Sequence, residues 1–218
     1  MKPNFFVLRE KMARFFQIDV WFATFAHAAK VKCGGVLTPI LRAVSAAGNG
    51  GAIFIAAALV MLAFQKTRKA GSAALIALAA SVLLTEVLLK NIVGRSRPFA
   101  DESSVFYTYW TDAGSLPAGG YSFPSGHTAA AMAFATALFF NFRKDLSWLF
   151  FLLPLAMGFS RVYFQVHYLT DVAASFAVGF LCGLIAVYVV QLLLHLTFFR
   201  RFSDAKGLEE LLCRRRQP

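Results

Sequence analysis

The chain has 218 residues, 58% of them hydrophobic and 15% charged, with a mean hydropathy of +0.61 and a formal net charge of +11. A water-soluble domain of this size carries about a quarter charged residues, so an ordinary soluble globular fold is excluded. In so apolar a chain the positive charge is expected to meet anionic lipid and set orientation, and no nucleic-acid partner is expected.

The opening stretch, MKPNFFVLREKMARFFQ, scatters its charges and lacks an apolar core ending at a small-residue cleavage site, so a secretory signal is not expected. It reads as a basic amphipathic helix at the interface, with Phe5, Phe6, Phe15 and Phe16 inward and Lys2, Arg9, Lys11 and Arg14 toward lipid phosphates. Between Ile18 and Ala47 an apolar run of about three turns is followed by Lys30, Lys32 and Arg42. That pattern predicts interfacial or re-entrant helices more than a complete span, which needs roughly 20 apolar residues. Residues 1–43 are thus an N-terminal interfacial segment.

Five uncharged runs follow: Val44 to Gln65, Ala70 to Leu89, Gly126 to Phe142, Leu146 to Ser160 and Val172 to Phe199. The third and fourth are short and are expected to recruit neighbouring residues. KTRK at 66–69 and RKD at 143–145 are tight basic joints between antiparallel helices. The 90–125 connection is rich in Gly, Pro, Ser and Asp. The predicted fold is an all-α polytopic membrane bundle of five to six transmembrane helices plus the N-terminal interfacial helices. Residues 44–199 form its core and 200–218 a basic cytoplasmic tail. Cys33, Cys182 and Cys213 are far apart and show neither metal-type nor redox spacing.

The unusual polar residues cluster on this plan. Lys90 ends the second span, with Arg97 and Pro98 just beyond it. Ser125, Gly126 and His127 begin the third span, Arg161 ends the fourth, and His167 and Asp171 begin the fifth. Because spans alternate direction, all of these positions fall on one membrane face. Taken singly each has an ordinary reading: Lys90 snorkels, Arg97 is a loop charge, His127 a satisfied helix-end histidine. Together they make a functional rim, since ionisable groups near the membrane core are costly.

Lys90, Arg97 and Arg161 supply fixed positive charge, and guanidinium groups bind phosphate oxygens in pairs. PSGH at a helix N-terminus offers backbone N–H groups and the favourable end of the dipole to an anion. Ser125 can cap that helix or donate its hydroxyl to the anion, and Gly126 admits an oxyanion close to the backbone. His167 and Asp171, four apart, are expected on one helix face, the carboxylate orienting the imidazole as in a triad. His167 is then the candidate nucleophile, and His127 the acid and base. Three cations stabilise the transferring phosphoryl group, so no metal or other cofactor is expected, although two histidines and an aspartate could hold zinc. Glu86, four residues before Lys90, is a candidate partner for that lysine. Arg95 either extends the cradle or stays a solvated loop charge. His27 and His195 are read as structural.

KNIVGRSRP (Lys90 to Pro98), PSGH (Pro124 to His127) and SRVYFQVHYLTD (Ser160 to Asp171) resemble the three-part signature of the type 2 phosphatidic acid phosphatase superfamily. The resemblance covers roughly residues 44–195 and matches every fixed position. It implies a metal-independent membrane phosphatase acting on lipid phosphates or diphosphates. It also implies phosphate binding by Lys90, Arg97, Ser125, Gly126 and Arg161, and catalysis by His167, His127 and Asp171. Members of that family usually carry six spans. Undecaprenyl diphosphate is the first-ranked substrate, with phosphatidylglycerol phosphate, phosphatidic acid and lipid A phosphates also fitting; nothing in the residues selects the tail. A phosphotransferase or a phosphatase of soluble esters would share the motifs.

Eleven basic residues lie opposite the site: Lys66, Arg68, Lys69, Arg143 and Lys144 in the joints, and Arg200, Arg201, Lys206, Arg214, Arg215 and Arg216 in the tail. The positive-inside rule makes their face cytoplasmic. The site is therefore expected to face outward from a bacterial inner membrane. With five spans, the seven basic residues of the N-terminal segment share the site face.

Overall fold

The computed structural model describes residues 5–196, with side chains from Phe16 onward. The face assignments expected for residues 1–15, the last residues of the expected fifth span and the basic tail lie outside the described side chains.

Helix α1 runs unbroken from Phe5 to Ala47, with Pro39 inside it, where the sequence predicted separate interfacial or re-entrant pieces. The boundary expected at residue 43 falls within this helix. Gly48 to Gly51 then stop it. Gly50 and Gly51 take positive φ (60° and 66°), a region that only glycine enters without cost. α2 (Ala52–Ala63) follows, so the run expected as one span from Val44 is broken, and the axes before and after the break meet at 52°.

α3 (Arg68–Val82) passes into a π-helical segment, Leu83–Leu89, and then α4 (Lys90–Val93). The connection beyond contains α5 (Val105–Asp112), capped by the Ser104 hydroxyl, which accepts from the Tyr107 N–H at 3.2 Å. α6 (Gly126–Asn141) returns through the bundle. α7 (Lys144–Ser147) and a 3-10 turn lead into α8 (Leu152–Tyr163). α9 (Leu169–Leu193) is the last.

Among the described residues three helical stretches are long and apolar enough to cross a membrane: 68–100, Lys144–Tyr163 and Leu169–Leu193. The bent pair α1–α2 makes a fourth if it counts as one span. α6 has 16 residues, about 24 Å at the usual helical rise, and does not lengthen as the sequence suggested. The fourth expected span does: its helix reaches Tyr163.

α6 lies at the centre, packed along α3 and α9. Lipid tails are as apolar as leucine, so helix association in a membrane relies on close van der Waals packing of small residues. Ala73, Ala74 and Ala77 of α3 meet Ala130, Ala131, Ala133 and Ala137 of α6, all buried. On α9, Gly179 and Gly183 are four apart on the face toward α6. A Cβ at Gly179 would lie 2.7 Å from the Met132 Cβ, and one at Gly183 would lie 2.8 Å from the Ala133 carbonyl oxygen. The backbones approach because those Cβ atoms are absent.

α1 crosses the α8–α9 junction. Phe22 packs edge-on against Phe159 at 6.3 Å, Ala26 joins Val162 and Val172, and the Thr38 and Tyr163 hydroxyls bond at 2.6 Å. Leu41 packs with Tyr163, Phe164 and Val166. The N-terminal helix thus braces the end of the bundle that carries Arg161 and His167.

Candidate active site

A cavity of about 1010 Å³ opens at that end, and Lys90, Arg97, Gly126, His127, Arg161 and His167 all line it, with Glu86 beside them. Three segments far apart in sequence meet there, as the alternation of helices required. Ser125 and Asp171 are fully buried and stand behind the wall.

Arg97 is clamped by carbonyl groups. Its Nε donates to Gly120 at 3.1 Å, Nη2 to Gly119 at 2.5 Å and Nη1 to Val166 at 2.8 Å. A guanidinium held at three points keeps its charge fixed toward His167, whose Nε2 is 3.4 Å from Nη1. Arg161 donates through Nη1 to the Ser45 hydroxyl of α1. Its buried Nε has no hydrogen-bond partner among the described residues.

Lys90 donates to Glu86 Oε2 at 2.7 Å, so the expected i, i+4 pair is formed. The π segment carries Glu86; such insertions turn helix side chains and are frequent at functional sites. The glycine at 126 serves this carboxylate: a Cβ there would collide with Glu86 Oε1. The sequence had assigned that space to an incoming oxyanion. Ser125 precedes α6 but makes no side-chain cap. Its hydroxyl is 3.0 Å from that of Thr128, and its N–H donates to the Ser175 hydroxyl at 2.7 Å.

His167 is not on the helix of Asp171, contrary to expectation. The chain turns at Gln165, with φ of 52°, and α9 begins only at Leu169. His167 Nδ1 therefore donates to the Ser122 carbonyl at 2.7 Å, while Asp171 Oδ2 stands 3.6 Å away, beyond a hydrogen bond. A carbonyl only accepts, so Nδ1 carries the proton and Nε2 keeps its lone pair, beside Arg97 Nη1 at 3.4 Å. Burial pushes this imidazole down to about 4, opposed by the Asp171 carboxylate. His167 lies between the spanning helices and is neutral at physiological pH.

Asp171 belongs to another set. It accepts from the Ser122 hydroxyl, from the Tyr168 N–H at 2.9 Å and from Arg95 Nη1 at 2.6 Å. Arg95 is no solvated loop charge. It also donates to Thr170 Oγ1 at 2.7 Å and to Asp19 Oδ2 at 2.8 Å, and lies 3.8 Å over the Tyr168 ring. Asp19, fully buried on α1, accepts in turn from the N–H and hydroxyl of Thr170, both at 2.9 Å.

On the other side of the cavity, His127 Nε2 and Asn49 Oδ1 are 3.0 Å apart. Asp19, Ser45 and Asn49 were not singled out in the sequence. Each is a lone polar residue in a segment without a motif; only the intramembrane acid Asp19 gave a signal. His27 stacks on Tyr109 at 4.0 Å and lies 3.7 Å from Asp112.

The family model of the PAP2 superfamily matches residues 70–194, more than half of the chain, and the chain belongs to that superfamily. It is similar to undecaprenyl-diphosphatase BcrC of Bacillus subtilis, 36% identical over 83 residues, which are 38% of this chain and 36% of that protein. It is also similar to an undecaprenyl-diphosphatase of Sulfolobus acidocaldarius, 28% identical over 137 residues, 63% of each chain. The match thus spans less than two thirds of either relative. The PAP2-type phosphatidylglycerolphosphate phosphatase of Bacillus subtilis shares the fold, with TM-score 0.55 at 21% identity over 82% of this chain and 95% of that one. LpxE of Aquifex aeolicus superposes with TM-score 0.49 at 26% identity, over 79% and 86% of the two chains.

Proposed function

We propose that the protein is a metal-independent lipid phosphatase of a bacterial inner membrane, working through a phosphohistidine with its site facing outward. The observation that carries this reading is one cavity in which Arg97, Arg161 and Lys90 face His167 and His127. One stretch of its wall is apolar, with Ile55, Leu75, Leu78, Val82, Leu83 and Val87. A phosphate can enter among the cations while its hydrocarbon tail stays along that wall.

In this mechanism His167 Nε2 attacks phosphorus and the bond to the leaving oxygen breaks. His127 gives that oxygen a proton, then takes one from the water that hydrolyses the phosphohistidine. Arg97, Arg161 and Lys90 stabilise charge on the equatorial oxygens. Asp171 holds the Ser122 turn against which His167 is oriented. The two relatives named as undecaprenyl-diphosphatases support a polyprenyl diphosphate as first-ranked substrate. Phosphatidylglycerol phosphate, phosphatidic acid and lipid A phosphates follow.

The test is release of inorganic phosphate by purified protein in detergent and EDTA, with those lipids and a sugar phosphate offered in parallel. Release from a lipid that survives chelation and disappears in His167→Ala supports the reading. Release only with added metal, or transfer to a lipid without free phosphate, overturns it.

A further inference from the structure

The cavity holds more positive charge than a monoester needs. Four cations line it, Arg42, Lys90, Arg97 and Arg161, against one carboxylate, Glu86, a surplus of three. A phosphomonoester brings about two negative charges near neutral pH, and a diphosphate ester about one more. Lys90 is paired with Glu86, and Arg97 and Arg161 are held beside the histidines. Arg42 has no hydrogen bond or ion pair among the described residues. It is exposed to the cavity.

Its position is specific. On α1, Arg42 precedes Ser45 by three residues, a spacing that puts residues of a helix on one face, and Asn49 follows in the turn after the helix. Ser45 holds Arg161 and Asn49 meets His127. The last turns of α1 and the turn after it therefore touch both Arg161 and His127. The guanidinium rests against the loop opposite, where a Cβ on Gly114 would lie 2.9 Å from Nη2. That glycine has φ of 95°, so the loop keeps the space open with a residue that tolerates the conformation.

We propose that Arg42 binds the phosphate adjacent to the one attacked, which makes the site selective for diphosphate esters; the assignment rests on the phosphatase reading above. His167 Nε2 forms a bond to the terminal phosphorus, and the bridging P–O electrons pass to the departing lipid monophosphate. His127 protonates that oxygen, and Arg42 offsets the charge left on the leaving group. Water then cleaves the N–P bond, releasing inorganic phosphate and restoring the imidazole. A monoester has no group at Arg42, and its leaving alkoxide gains nothing from it.

Calorimetric titration of the full-length protein in detergent with inorganic pyrophosphate and with orthophosphate tests this without requiring turnover. Wild-type protein is expected to prefer pyrophosphate, and Arg42→Gln to shrink that preference by about tenfold to a hundredfold, the range for a lost hydrogen bond to a charged group. Arg42→Lys, which keeps the charge but not the fork, should fall between. As an exposed helix residue, Arg42 can be replaced without unfolding the protein, which a melting curve verifies. A preference equal in wild type and Arg42→Gln, or absent from wild type, overturns the assignment to Arg42 and leaves the phosphatase reading standing. Binding of neither anion by wild type overturns the phosphate site itself.

Discussion

Asp19 of α1 and Asp171 of α9 are held by one guanidinium, that of Arg95, at 2.8 Å and 2.6 Å. Both carboxylates have no exposed side-chain surface. Removing one partner of a buried ionic set costs about 3–5 kcal/mol because the remaining charge stays unpaired. Arg95→Ala is expected to lower thermal stability by an amount of that order and to reduce kcat far more than it changes KM. Asp19→Asn should act in the same direction and less strongly. Arg95→Lys should rescue poorly, since an ammonium group cannot hold both acids and Thr170 in one plane. A kcat within twofold of wild type in Arg95→Ala would show that Asp171 needs no support from α1.

The pH dependence follows from His167. Its imidazole is pushed down to about 4 by burial, below an unfolded value near 6.5. Between these values the unfolded chain binds the proton and the folded chain does not, so stability falls as pH drops from about 6.5 toward 4. The same neutrality keeps Nε2 available as a nucleophile through mildly acid conditions. Phosphate release in short assays should therefore show no acid limb from this group above about pH 5. A limb near 6.5 that moves with Asp171→Asn would contradict the assignment.

His127 is set by the break between α1 and α2. A Cβ on Gly48 would lie 2.7 Å from His127 Cδ2 and 2.7 Å from Met157 Cε. Gly48→Ala is expected to push the imidazole off Asn49 and lower kcat by about tenfold or more, a fraction of the usual general acid–base contribution. Asn49→Ala, which removes the partner without a clash, should produce a smaller loss. Melting curves of both variants separate loss of rate from loss of fold.

Stability of the bundle centre depends on the α6–α9 approach. Gly183→Leu places a side chain where the Ala133 carbonyl and Thr136 now stand. Overpacking costs about 1–3 kcal/mol even when neighbours can adjust, and backbone cannot. The expected outcome is loss of monodisperse protein in size-exclusion chromatography, whereas Leu181→Ala on the exposed face of the same helix should behave as wild type.

How far the molecule could be read from sequence depended on pattern. Lys90, His127, Arg161 and His167 were legible because each sits at or near the end of an apolar run, with Arg97 in the loop just beyond Lys90, and run order alone fixes which ends share a face. What lay between them was not legible. The i, i+4 spacing of His167 and Asp171 suggested a shared helix, but the turn at Gln165 delays α9 to Leu169 and sends the imidazole to a carbonyl. Arg95 looked solvated because its partner Asp19 lies in a segment without periodic signal. The break at Gly48–Gly51 was written plainly as GNGG, and hydropathy carried the expected span through it. Ser104 ahead of an aromatic run marked α5 in the same way.

The central claim is that His167 carries the phosphoryl group. Rapid acid-free quenching of His127→Ala protein with a polyprenyl diphosphate labelled on its terminal phosphate tests it most directly, with peptide mapping of the trapped label. Acid-labile label is expected on the peptide containing His167, accumulating because a phosphate leaving group can depart without the proton of His127 whereas water is no longer activated, and none is expected in the His167→Ala protein. Label on any other residue, or hydrolysis by the His167→Ala protein at a rate near wild type, would contradict it.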